Sequence, residues 1–104
     1  MKISGPFPFY GSLVWLTAEQ GGRRSGPPTP PYAATAYVPP ATVADGSASF
    51  VLQGFDPAVL RSQAVGRWLA VANDGVHAIR PGTVVVVTEG PRPIAYFHVE
   101  KIAP

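Results

Sequence analysis

The chain reads as an all-β protein, a small antiparallel β-barrel of about six strands. Three observations point there. Short β-prone runs recur along it, Pro- and Gly-rich turns separate them, and only one segment offers a helical turn. Thirteen prolines and 11 glycines in 104 residues supply the punctuation.

The elements follow in order. Tyr10 to Leu16 is an apolar run closed by a turn-rich segment. Tyr32 to Val38 is β-compatible, and Pro39-Pro40 stops it because proline has no N–H for a ladder. Ser47 to Leu52 and Arg67 to Ala72 are the third and fourth candidates. After the fourth, Asn73-Asp74-Gly75 supplies the positive-φ positions of a tight hairpin. Thr83 to Thr88 is the strongest β signal, because Val84 to Val87 are four consecutive β-branched residues. That strand is apolar on both faces, so it is expected to be buried on both or to face a partner on one. Gly90-Pro91-Arg92-Pro93 forms the turn before a last strand from Ile94 to Ile102. The helical turn is expected over Pro57 to Ser62, with Asp56 as N-cap and Pro57 at the first helical position.

Composition bounds the function classes. At 104 residues one domain with a single core is expected, and 46% hydrophobic residues argue against a disordered chain. Charged residues are only 13%, about half the usual share, which favours a surface that meets a partner. The net charge of +2 comes from scattered cations, not the clustered basic face of a nucleic-acid binder. With no cysteine, disulfides, thiolate metal sites and cysteine nucleophiles drop out. No run approaches the ~20 apolar residues of a membrane helix, so a soluble, cytoplasmic protein is expected.

Two blocks resemble one known barrel. Leu16-Thr17 through Glu19-Gln20-Gly21-Gly22-Arg23, then a proline-containing loop and Tyr32, resembles the start of the third domain of elongation factor Tu. Val87-Thr88-Glu89-Gly90-Pro91-Arg92-Pro93-Ile94, ending Val99-Glu100-Lys101-Ile102, is similar to its end. In that family each block is an apolar strand running into a Glu-Gly-Gly-Arg turn. The resemblance implies one such barrel standing alone, without the GTP-binding domain, since no Gly-x-x-x-x-Gly-Lys-Ser/Thr loop is present. It also implies contacts with the T-stem of aminoacyl-tRNA, with a nucleotide-exchange factor and with a GTPase domain. The surfaces that make those contacts are altered. Ala33-Ala34-Thr35 replaces the family's Arg-Pro-Gln, and Tyr96, Phe97 and His98 occupy a last strand that is small and Gly-rich in the family.

Read from the residues, Gly21-Gly22 and Gly90 give freedom at barrel corners. Arg23 is expected to pair with Glu19, and Arg92 with Glu89, each across its own turn and each contributing only ~0.2–1 kcal/mol. The segment from Gly21 to Pro31 consists entirely of Gly, Pro, Arg, Ser and Thr, eleven residues in all, and is the longest connection, hence the first candidate for function. Its prolines (Pro27-Pro28 and Pro30-Pro31) suit either a polyproline ligand or a stiff loop lying on the barrel, and the stiff loop is favoured.

Arg23 and Arg24 would contact a phosphate backbone, unless Arg23 braces the turn and Arg24 is merely solvated, which is the expected arrangement. Tyr96, His98 and Glu100 alternate along the last strand and share a face. With His77 they would form an acid–base or metal cluster, although an ordinary exposed strand face explains them more simply. Trp15, Trp68, Tyr10, Tyr32, Tyr37, Tyr96 and Phe97 would stack bases, or fill the barrel, and core packing is the expected role. No serine lies in a Gly-x-Ser-x-Gly setting.

The resulting expectation is a non-catalytic binding module. It engages a protein partner through the 21–31 loop and a nearby strand edge, with Arg23, Arg24, Arg92, Tyr32, Tyr96 and His98 as contact residues. The alternatives are a binder of structured RNA such as tRNA and a small enzyme using His98 and Glu100. No cofactor and no metal are expected.

Overall fold

Strand alternation decides most of the architecture. In the computed structural model, which describes residues 6–104, every second residue of the strands points into one shared interior. The elements are β1 (Phe9–Trp15), β2 (Tyr32–Tyr37), a one-turn helix α1 (Val43–Gly46), β3 (Ala48–Gln53), β4 (Arg61–Trp68), a 3₁₀ turn (Gly75–His77), β5 (Val84–Glu89) and β6 (Arg92–Ile102). The six strands close into an all-antiparallel barrel in the order β1-β4-β3-β2-β5-β6, with β6 returning to β1. Closure removes the outer edges that an open sheet would expose.

The interior is aromatic. Phe50 stacks near Phe9, with ring centroids 6.2 Å apart, meets Trp68 edge-on at 5.0 Å and lies 6.0 Å from Phe97. Gly66 of β4 makes this possible, because a Cβ there would sit 2.5 Å from the Phe50 ring and 3.1 Å from Phe97. At the Tyr10/Gly11 irregularity in the β1–β6 ladder, a Cβ on Gly11 would collide with the His98 carbonyl.

Several expected elements shift, and one helix forms where none is expected. The last strand begins at Arg92, two residues before Ile94, so only Gly90-Pro91 is left as its turn. The strand expected at Arg67 to Ala72 is β4, Arg61–Trp68, so it starts six residues earlier and ends at Trp68. Its polar first half, Arg61-Ser62-Gln63, hid the alternation that buries Ala64, Gly66 and Trp68. The helical turn over Pro57 to Ser62 does not form. Asp56 accepts a bond from the Ala58 N–H at 2.9 Å, but Arg61 and Ser62 are already β4. Asn73-Asp74-Gly75 leads into the 3₁₀ turn, not a hairpin, and the Asn73 amide brackets the Ile79 backbone on both its N–H and its C=O. The helix instead occurs at α1, where the Asp45 carboxylate accepts the Thr42 N–H at 2.6 Å and its hydroxyl at 2.9 Å. Those bonds hold the Asp45 carboxyl below the usual carboxylate range.

The valine strand is buried on both faces. Val85 and Val87 line the core, and outward-facing Val86 is only 5% exposed, flanked in register by Tyr37 and Tyr96. No helix among the described residues is long and apolar enough to cross a membrane.

Antiparallel alternation sorts the connections into two ends. One end carries the 16–31 loop, the 54–60 loop and the Gly90-Pro91 turn; the other carries residues 38–47 and 69–83.

Candidate functional site

The two turn blocks, 66 residues apart in sequence at Arg23 and Glu89, meet at the first end. Gly21 (φ 95°) and Gly90 (φ 60°) take the left-handed conformation that these corners require. The Arg23 Nη1 donates to Glu89 Oε2 at 2.5 Å, and the Tyr32 hydroxyl donates to the same oxygen at 2.7 Å. Arg23 also donates through Nε to the Gly26 carbonyl at 3.0 Å, closing the loop on itself, and its Cζ lies 5.4 Å from the centre of the Tyr32 ring. Arg92 reaches Glu89 Oε1 at 3.5 Å.

The expected pairing of Arg92 with Glu89 is therefore present, whereas Arg23 takes Glu89 of the other block in place of Glu19. Glu19 sits on the exposed part of its turn, while β2 and β5 lie side by side and bring Glu89 within reach. The hydrogen bond from Tyr32, opposed by desolvation and aided by Arg23, holds the Glu89 carboxyl below the usual carboxylate range. Burial, with the Glu89 carboxylate beside it, pushes the Tyr32 phenol up to about 12.

Beneath this clamp, Trp15 is buried against Tyr32 at 5.8 Å and Phe55 at 5.4 Å. Arg23 thus braces the loop. Arg24, Ser25, Thr29 and Pro31 stay exposed on that braced loop.

The ladder between β2 and β5 is short. It pairs Thr35 with Thr88, Ala36 with Val87 and Tyr37 with Val86, and nothing beyond. The side chain of Thr88 donates to the Thr35 carbonyl at 3.2 Å, so the peptide groups of Thr35 face β5. By alternation those of Ala33 face the same way, past the end of the ladder and beside the 21–31 loop.

The remaining site residues lie elsewhere. Tyr96 is half-buried and His98 and Glu100 are exposed on the outer face of β6. Ser12 donates to Glu100 at 2.7 Å there, and His98 is register-paired with Ser12 and with Val84. His77 lies edge-on to Trp68, 5.2 Å between ring centres, on a separate connection. Among the described residues no three His, Cys, Asp or Glu side chains gather as a metal would need. Trp15, Trp68 and Phe97 are core residues, Tyr32 and Tyr37 are half-buried, and Tyr10 is 44% exposed. These aromatics are therefore divided between interior and surface, with no shared platform.

Sequence reasoning named Glu89 only as a local partner of Arg92 and missed its role as the hub. The signal was its place at the end of the valine strand, but its partners were set by strand order. Comparison with known proteins gives no matching family model, no matching curated protein and no matching solved structure.

Proposed function

We propose that the chain is a cytoplasmic, non-catalytic binding module whose 21–31 loop and adjoining β2 edge engage a protein partner. The observation that carries this reading is the Arg23–Glu89–Tyr32 clamp. It pairs the half-buried charges and braces a long, partly exposed loop, which lowers the ordering cost of binding. Arg24 and Arg92 at the rim set charge complementarity, and the Ala33 peptide group offers an adjacent pairing edge. Tyr96 and His98 belong to the same reading as peripheral contacts on the outer face of the barrel.

Affinity capture with the wild-type chain and with the double variant Arg24→Glu/Thr29→Glu tests it. A protein recovered reproducibly by the first bait and lost with the second is expected. Identical recoveries from both baits would refute the loop as the contact surface.

A second reading, binding of structured RNA such as tRNA, has its support in Arg24 and Arg92 standing at one end beside the two blocks that resemble the elongation factor domain. Kinship with that domain is proposed on the same two blocks. Arg23 argues against a phosphate role, since its guanidinium is already neutralised. This reading expects tRNA affinity that falls with salt and falls further in Arg24→Ala/Arg92→Ala. Absence of binding at low salt removes it.

A further inference from the structure

The short β2–β5 ladder leaves a second opening at the opposite end of the barrel. The last pair is Tyr37 with Val86, and the next position facing β5 along β2, opposite Val84, is Pro39. Proline has no N–H, so it cannot donate to the Val84 carbonyl, and Pro39-Pro40 turns the chain away. The Val84 peptide groups nevertheless point to that side. The Val99 N–H donates to the Thr83 carbonyl at 2.9 Å, so Thr83 faces β6 and its neighbour Val84 faces away from β6.

The position is open. Val38, Pro39, Pro40 and Ala78 form a wall common to two adjoining depressions of about 480 and about 550 Å³. Both volumes fall within the roughly 300–1,000 Å³ of ligand sites. The second depression ends at Val84 and Arg80, and the first at Asp45 and Val76, a valine that is 52% exposed. Arg80 is exposed, and among the described residues its guanidinium meets no carboxylate within ion-pair distance.

We propose that this trough docks an extended segment of a partner protein, which continues the β2 line beside β5 and carries an Asp or Glu side chain against Arg80. Two features choose that occupant. Val84 presents a donor and an acceptor together, the two-bond pattern that a residue inside an extended chain answers with its own C=O and N–H. At the Val84 end the walls are largely apolar with one unpaired cation, Arg80, while the Asp45 carboxylate lies at the far end. This favours apolar side chains along the trough and a carboxylate placed beside Arg80. The site is distinct from the 21–31 loop and does not depend on it.

Selection of phage-displayed random octapeptides on the full chain, followed by amide chemical-shift mapping with the enriched peptide, tests the proposal. Enriched peptides are expected to carry apolar residues and an Asp or Glu, and to shift the amides of Ala78 to Val86. Arg80→Ala should weaken binding roughly two- to fivefold, on the order of an exposed ion pair, with no effect on the peptide's Asp→Asn form. A backbone N-methyl scan of the peptide should find one position where methylation costs roughly tenfold, the loss of one desolvated hydrogen bond. Because that change is in the peptide, it cannot unfold the protein. Arg61→Glu, at the exposed start of β4 on the other end of the barrel, should leave the affinity unchanged.

Failure to enrich any peptide overturns the proposal, as does a peptide indifferent to Arg80→Ala and to every N-methyl group. Shifts of the same amides that depend on protein concentration without peptide would assign the trough to a second copy of the chain. Shifts caused there by tRNA alone would assign it to RNA. Either result also overturns it.

Discussion

Glu89 receives three donors on one carboxylate, from Arg23, Tyr32 and Arg92, and each is side chain to side chain. The pair with Arg23 leaves the two side chains 24% and 35% exposed, so it is neither a free surface pair nor a fully desolvated one. A charge-assisted bond contributes roughly 1.5–3 kcal/mol when buried, and partial exposure brings the expected loss in Glu89→Gln to about 1–2 kcal/mol. The pH dependence follows from the direction of the shifts. The folded carboxyl of Glu89 titrates below its unfolded value, so its contribution is present above about pH 4.3 and disappears as pH falls through the folded pKa. Tyr32 is raised, so its contribution is complete below about pH 10 and is lost as pH climbs toward 12. Urea unfolding of wild type and Glu89→Gln should therefore separate at pH 7 and converge as acid protonates the folded carboxyl. Ultraviolet titration should show an ionisation near 12 that Tyr32→Phe abolishes. Equal separation at both acid and neutral pH would place the loss in packing instead of charge.

At the scale of elements, β4 shows how one small residue permits a packed interior. Gly66 faces inward between Phe50 and Phe97, which are 1% and 0% exposed, so neither ring has solvent to move into. Gly66→Ala is expected to destabilise by about 1–3 kcal/mol through overpacking, despite alanine's lower conformational entropy when unfolded. Thermal unfolding measures it, and a stabilised variant would mean that the Phe50 ring can retreat. The valine strand illustrates the complementary case. Its double burial was legible in Val84 to Val87, but which neighbours cover it was not. Tyr37 and Tyr96 reach Val86 from strands 49 residues before and 10 residues after it, through register alone.

For the whole molecule, closure is complete but uneven. β1 and β6 pair over seven positions from Phe9–Ile102 to Trp15–Ala95, whereas β2 and β5 pair over three. The Cα radius of gyration is 12.5 Å, close to the roughly 13 Å of a compact chain this long. Opening should begin at the short seam, because fewer ladder bonds must break there while the aromatic core stays packed. Native-state hydrogen exchange is expected to protect the Tyr37, Val86 and Thr88 amides less than those of Leu13 and Phe97. Uniform protection around the barrel would show instead that the strands open only together. Both proposed contact surfaces lie at the two ends of this seam, Ala33 beside the 21–31 loop and Val84 beside the trough.

By itself the sequence determined the all-β class, the number of strands and most of their positions, and the two Gly-Arg corners. Those depend on alternation, β-branching and turn chemistry, which act between near neighbours. It also showed that the 21–31 loop was long and charged. Only the tertiary structure decided that Arg23 answers Glu89 and not Glu19, that β4 begins at Arg61, and that the β2–β5 ladder stops short at both ends. Each of these is set by which strands lie side by side and in what register. Closing the ring sets that choice, because no local segment has energy enough to choose its own neighbours.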